Sequence, residues 1–137
     1  MNEPHKPSLQ LVAQWVQKAE NDLKTAEHTF KLPAKDCPYD TICFHAQQCV
    51  EKYLKALLTF LEIDFPKTHD VGELIQLLPP SHRPPMKIED QEKLTFYATI
   101  NRYPGVEDPL TSVEASEALT LARQTRETIR EQLPKEV

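Results

Sequence analysis

The chain predicts an all-α fold, an up-and-down bundle of four main helices plus one short helix. Three observations carry this expectation. Apolar residues recur at spacings of three and four along several long stretches. The twelve prolines fall between those stretches or at the termini rather than inside them. Nothing alternates with period two for long enough to make a sheet. The two glycines, Gly72 and Gly105, stand far apart, and no Asn-Gly or Asp-Gly pair of the tight-hairpin kind is present. Helices that each carry one apolar stripe bury it by packing together as a bundle.

The first helix is expected over about Leu9 to Phe30, with Val12, Trp15, Val16, Ala19, Leu23, Ala26 and Phe30 inward. Pro33 and Pro38 punctuate the loop that follows. The second, about Tyr39 to Leu61, has the clearest pattern. At about 100° per residue, Ile42, Cys43, Ala46, Cys49, Val50, Tyr53, Leu54, Leu57 and Leu61 share one side. Thr41, His45, Gln48, Lys52, Lys55 and Thr59 form a polar stripe on the other. Pro66 closes that unit. Asp70 stands three residues before Glu73, a capping-box spacing, and opens a short third helix with Leu74, Ile75, Leu77 and Leu78. Pro79 and Pro80 stop it, and four prolines between Pro79 and Pro85 imply an irregular loop. The fourth helix is expected from about Glu89 to Arg102, burying Leu94, Tyr97, Ala98 and Ile100, with Pro104 and Gly105 ending it. Thr111 and Glu114 repeat the capping-box spacing. A fifth helix then runs to about Leu133, with Ala115, Ala118, Ala122, Ile129 and Leu133 inward.

With 137 residues the chain fits a single domain, 1–137, whose core spans about 9–133 and whose ends are expected to be flexible. Hydrophobic residues make up 39% and charged residues 27%, and no apolar run approaches the roughly 18–20 residues that span a bilayer. Met1 to Ser8 is polar, without the apolar core of a secretory signal. Cys37, Cys43 and Cys49 have no CxxC spacing, which argues against a disulfide framework or zinc site. No metal or cofactor is expected, and the cytoplasm is the expected compartment. Cys43 and Cys49 read as core residues. The net charge is −5, from 16 basic and 21 acidic residues. That balance argues against a broad nucleic-acid surface but leaves room for a small basic pocket.

Three groups of residues could carry chemistry. His45, Gln48, Lys52 and Lys55 share a helix face through offsets of three, four and three. Two ammonium groups, an amide and an imidazole suit a phosphate joined to a base or ribose; the alternative is a solvated helix face. Lys67-Thr68-His69-Asp70 reads either as a capped helix start or as an anion site at a helix N-terminus. Asn101-Arg102-Tyr103-Pro104 reads either as a helix end or as a guanidinium fork with Tyr103 beside it. Walker, GxGxxG, HExxH and GxSxG templates are all missing.

The three groups occur together and in order, and in that order they resemble the HEPN family. Cys43-Phe44-His45-Ala46-Gln47-Gln48-Cys49-Val50-Glu51-Lys52-Tyr53-Leu54-Lys55-Ala56-Leu57-Leu58 is similar to that family's second-helix signature. Lys67-Thr68-His69-Asp70-Val71 with Leu74 resembles the short segment after it, and Arg102-Tyr103-Pro104-Gly105 the end of the fourth helix. Trp15, Ala19, Asp22 and Leu23 resemble the family's opening helix. The resemblance implies a helical bundle that is usually dimeric and often encoded beside a minimal nucleotidyltransferase, in two-component or toxin–antitoxin pairs. It also implies a nucleotide site lined by His45, Gln48, Lys52 and Lys55, with His69, Arg102 and Tyr103 contributing.

The chain departs from the catalytic members, which use an arginine followed four to six residues later by a histidine. Here His5, His28, His45, His69 and His82 all precede Arg83, Arg102, Arg123, Arg126 and Arg130, so that motif is absent at any spacing. The expected function is a nucleotide-binding or accessory module, homodimeric and partnered with a minimal nucleotidyltransferase. The alternatives are a toxin-like RNA endonuclease with an atypical site, in which folding brings His45 to Arg102, and a purely structural homodimer.

Overall fold

The computed structural model describes residues 8–99 and 109–137. Five α-helices lie in the order α1 Leu9–Phe30, α2 Tyr39–Phe60, α3 Val71–Leu77, α4 Ile88–Tyr97 and α5 Ser112–Arg130. Short 3-10 turns occupy Ala34–Asp36 and Pro80–His82, each entered through a proline. Among the described residues there is no strand, as the missing period-two pattern implied, and no helix is long and apolar enough to cross a membrane.

α2 lies at the centre, packed against α1, α5, α4 and α3. Its sequence explains that position. Ile42, Cys43, Ala46, Cys49, Val50, Tyr53, Leu54 and Leu57 are all fully buried, and Ala56 and Leu58 widen the apolar arc beyond the single face expected. Leu61, just past the helix end, is only partly buried. Against this arc α1 sets Val12, Val16, Ala19, Leu23 and Ala26, while α5 sets Ala115, Ala118, Leu119, Ala122 and Ile129. The alanines on α1 and α5 are small enough to bring helix backbones close to α2. α3 and α4 form a second hairpin, sealed by Leu74, Ile75, Leu78, Leu94 and Tyr97.

Helix ends follow local chemistry. The Ser8 hydroxyl accepts from Leu11 N at 3.2 Å and starts α1. Asp70 Oδ1 accepts from Glu73 N at 3.0 Å and starts α3. Thr111 and Glu114 form the full capping box at α5, with Thr111 N donating to Glu114 Oε2 at 2.8 Å. The fourth helix departs from expectation. It ends at Tyr97 rather than continuing to Arg102, because the Ala98 and Thr99 amides turn back to Thr95 and Phe96 carbonyls three residues earlier. Such tightening is a common way for a helix to finish. Ile100, Asn101, Arg102, Tyr103, Pro104 and Gly105 lie outside the described residues, as does His5. α5 likewise ends at Arg130, and the expected inward residue Leu133 is buried by one further tight turn.

One polar joint ties three helices together away from the α2 polar stripe. Glu20 on α1 accepts the Tyr53 hydroxyl of α2 at 2.5 Å and Arg126 Nε of α5 at 2.7 Å, with Arg130 3.5 Å away. Burial alone would raise the Glu20 pKa. The Tyr53 and Arg126 hydrogen bonds, with the charges of Arg126 and Arg130, outweigh it and hold the carboxyl below its ordinary value. Burial and the Glu20 bond push the Tyr53 phenol well up.

Candidate functional site

The polar stripe of α2 divides between two carboxylates that stand on different elements. Asp22, on α1, is 8% exposed. Its Oδ1 lies 2.8 Å from His45 Nδ1, and its Oδ2 accepts from Lys52 Nζ at 2.6 Å. His45 and Lys52 are two helical turns apart on α2, so a single carboxylate from the neighbouring helix spans the gap between them. The second centre is Glu51, on α2 itself and 3% exposed. Its Oε1 meets His69 Nδ1 at 2.8 Å and accepts from Gln47 Nε2 at 3.0 Å, while its Oε2 accepts from Lys55 Nζ at 3.1 Å. Gln48 joins this second centre by donating to Gln47 Oε1 at 2.7 Å.

Lys55 and His69 sit differently from a solvated stripe. Lys55 is 7% exposed. Its ammonium lies 5.5 Å from the Trp15 ring centre and 5.9 Å from that of Phe65, and those two rings pack edge to face. A cation shielded by two aromatic faces and paired with a carboxylate tolerates burial that a lone ammonium would not. Lys55 therefore holds the α2–α3 connection against α1 and is not an open contact. His69, in that connection, is fixed by Glu51 through its ring, and its carbonyl accepts from Gln47 Nε2 at 3.4 Å. The half of its ring that faces away from Glu51 stays open to water, since its side chain is 53% exposed.

Of the seven residues expected at the site, His45 and Lys52 are brought together by Asp22, and Lys55 and His69 by Glu51. Gln48 lies between the two centres on α2. Arg102 and Tyr103 lie outside the described residues. Asp22, Gln47 and Glu51 are the additional members. Their signal in the sequence was charge or amide groups at positions where the helical period demands burial, since Asp22 sits beside Leu23 and Glu51 beside Val50 on inward arcs. Among the described residues no buried side-chain nitrogen or oxygen lacks a partner, which is the condition under which buried polar networks are stable. No three His, Cys, Asp or Glu side chains among the described residues are grouped to hold a metal ion.

The helical bundle that carries these two networks is that of a known domain class. The HEPN domain family model matches residues 12–132, and the chain belongs to the HEPN domain family. The crystal structure of TT1696 from Thermus thermophilus is similar at a TM-score of 0.75 and 29% identity, covering 89% of this chain and 98% of that one. The crystal structure of ST0689, an archaeal HEPN homologue, is similar at a TM-score of 0.66 and 29% identity, covering 88% of this chain and 96% of that one. None of the curated proteins matches the chain at a significant level.

Proposed function

We propose that the chain is a nucleotide-binding accessory module that acts as a homodimer beside a minimal nucleotidyltransferase, in a two-component, toxin–antitoxin-like pair. Membership of the HEPN family supports the setting. The observation that carries the nucleotide reading is the shared hold of Asp22 on His45 and Lys52. It presents an ammonium with two spare donors and an imidazole with one spare nitrogen on the same polar face, next to the Gln48 amide. Lys52 supplies charge to a phosphate, and Gln48 and His45 read hydrogen-bonding groups of a base or ribose. Arg102 is proposed as a second phosphate contact, with Tyr103 beside it.

The test is calorimetric titration of wild type, Lys52→Ala and Arg102→Ala with mono-, di- and trinucleotides. Hydrogen bonds to charged groups contribute roughly 1.5–3 kcal/mol each, so either variant should bind about tenfold more weakly or worse. Added salt should weaken wild-type binding. Equal affinity in all three folded proteins, or no binding by wild type at millimolar ligand, overturns the reading. A second reading, an RNA endonuclease with an atypical site, is favoured by one feature: His45 and His69 each lean through Nδ1 on a carboxylate, the arrangement that readies an imidazole for proton transfer. Cleavage of single-stranded RNA that disappears in His45→Ala would favour it over the first.

A further inference from the structure

We propose that Asp22 is the positioning residue of this site: it fixes the His45 proton on Nδ1 and leaves the Nε2 lone pair, on the polar face that also carries the Lys52 ammonium, to receive a hydrogen bond from a ligand that carries a hydroxyl and an anionic group. The proposal rests on the nucleotide-binding reading for its ligand and on geometry for its chemistry. A carboxylate has only acceptors, so a 2.8 Å contact between Asp22 Oδ1 and His45 Nδ1 requires the proton on Nδ1. In a neutral imidazole that choice leaves Nε2 bare. Nε2 has no hydrogen-bond partner among the described residues, and the His45 side chain is 27% exposed. Phe44 packs its ring edge to face against His45, at 5.4 Å between centres, and adds a second restraint on the imidazole.

The other oxygen of the same carboxylate holds Lys52 at 2.6 Å. Lys52 has three N–H donors and spends one on Asp22, so two remain for a ligand oxygen. Asp22 offsets part of its charge, so charge alone does not select the ligand. Recognition then depends on satisfying a donor-rich ammonium and an acceptor nitrogen at once. A ribose phosphate meets both demands, through its phosphate oxygens and a hydroxyl. Inorganic sulfate, which carries no proton near neutral pH, satisfies the ammonium well and offers the imidazole acceptor nothing. This selection fits a chain of net charge −5, in which bulk attraction cannot gather anions.

Nitrogen-15 NMR of the labelled protein, at a pH where His45 is neutral, reads the tautomer directly. The expected wild-type result is a protonated Nδ1 and a bare Nε2. In Asp22→Asn the Lys52 donor draws the amide oxygen, which turns the amide NH2 toward His45 Nδ1, so a large share of the proton should move to Nε2. A wild-type proton on Nε2, or an unchanged tautomer in folded Asp22→Asn, overturns the positioning role; if that variant does not fold, the wild-type spectrum decides alone. In parallel, ribose 5-phosphate should bind wild type about tenfold more tightly than inorganic sulfate, and Asp22→Asn should erase most of that preference. Equal binding of the two probes overturns the ligand assignment. Absence of all nucleotide and ribose phosphate binding with the Nδ1 tautomer intact overturns the functional reading and the ligand, while the wrong tautomer in a protein that still binds nucleotides overturns the role of Asp22 alone.

Discussion

Glu51 accepts from three donors, an imidazole, an amide and an ammonium, in a place that water barely reaches. Removing one partner of a buried ion pair strands the other, at about 3–5 kcal/mol. Glu51→Leu should therefore lower the urea midpoint strongly, and Glu51→Leu joined with Lys55→Met should recover part of the loss. A single variant as stable as wild type would show that Lys55 does not depend on this carboxylate. Glu20 gives a second, pH-dependent test. Its folded pKa is depressed, so the stability it adds is present above its unfolded pKa and fades as pH falls through the folded value. Glu20→Gln should be less stable than wild type near neutrality, with the two proteins converging in acid; parallel profiles of urea midpoint against pH would contradict this. Residues of this kind mark where the sequence became illegible. Periodicity assigned Cys43 and Cys49 to the core, and both are fully buried, with burial first and then the Asp40 and Glu114 charges pushing the Cys43 thiol up to about 12. The same periodicity put Lys55 on a wet stripe. It could not see that Trp15 and Phe65, forty and ten residues away in sequence, close over that ammonium, nor that Asp22 reaches across from α1.

Helix boundaries were legible wherever a side chain enforces them. Asp70 and Thr111, chosen from the spacing of their partners Glu73 and Glu114, both cap as expected. Where the backbone alone ends a helix, as at Tyr97, no residue announces it, and the downstream Pro104 and Gly105 suggested a longer α4. The capping box also makes a clean prediction. Thr111→Ala should destabilise the protein by about 1 kcal/mol, within the usual range of 0.5–2 for a lost N-cap, and Thr111→Ser should restore most of it. Thermal melts of the three proteins check this, and coincident curves would mean that α5 is held by packing alone. α2 is the contrasting element. It begins at Pro38 with no side-chain cap, and its stability comes from being covered on several sides by other helices. Leu54→Ala, which opens a hole where exposure is zero, should cost about 2–5 kcal/mol, far more than the cap of α5. A melt equal to wild type would show that Leu54 is not in the core.

At the scale of the whole molecule the proposed homodimer is open to direct measurement. Light scattering across a hundredfold dilution should report about twice the chain mass of 15.8 kDa at the concentrated end, and a value of one chain mass throughout would sink it. The bundle itself was foreseeable because four separate stretches each carried an apolar face and none could bury it alone. The central place of α2 was not, since an arc of apolar residues does not say how many neighbours share it. That central place has a consequence for how the protein is made. As the chain leaves the ribosome, α1 and α2 are synthesised in succession and can pair at once. The flank of α2 that carries Tyr53 waits for Arg126, Arg130 and the small residues of α5, which arrive only after the whole α3–α4 hairpin has been translated. During that interval a greasy surface is bare, and a nascent chain arrested before Ser112 should be a client for chaperones, while the full-length product should not.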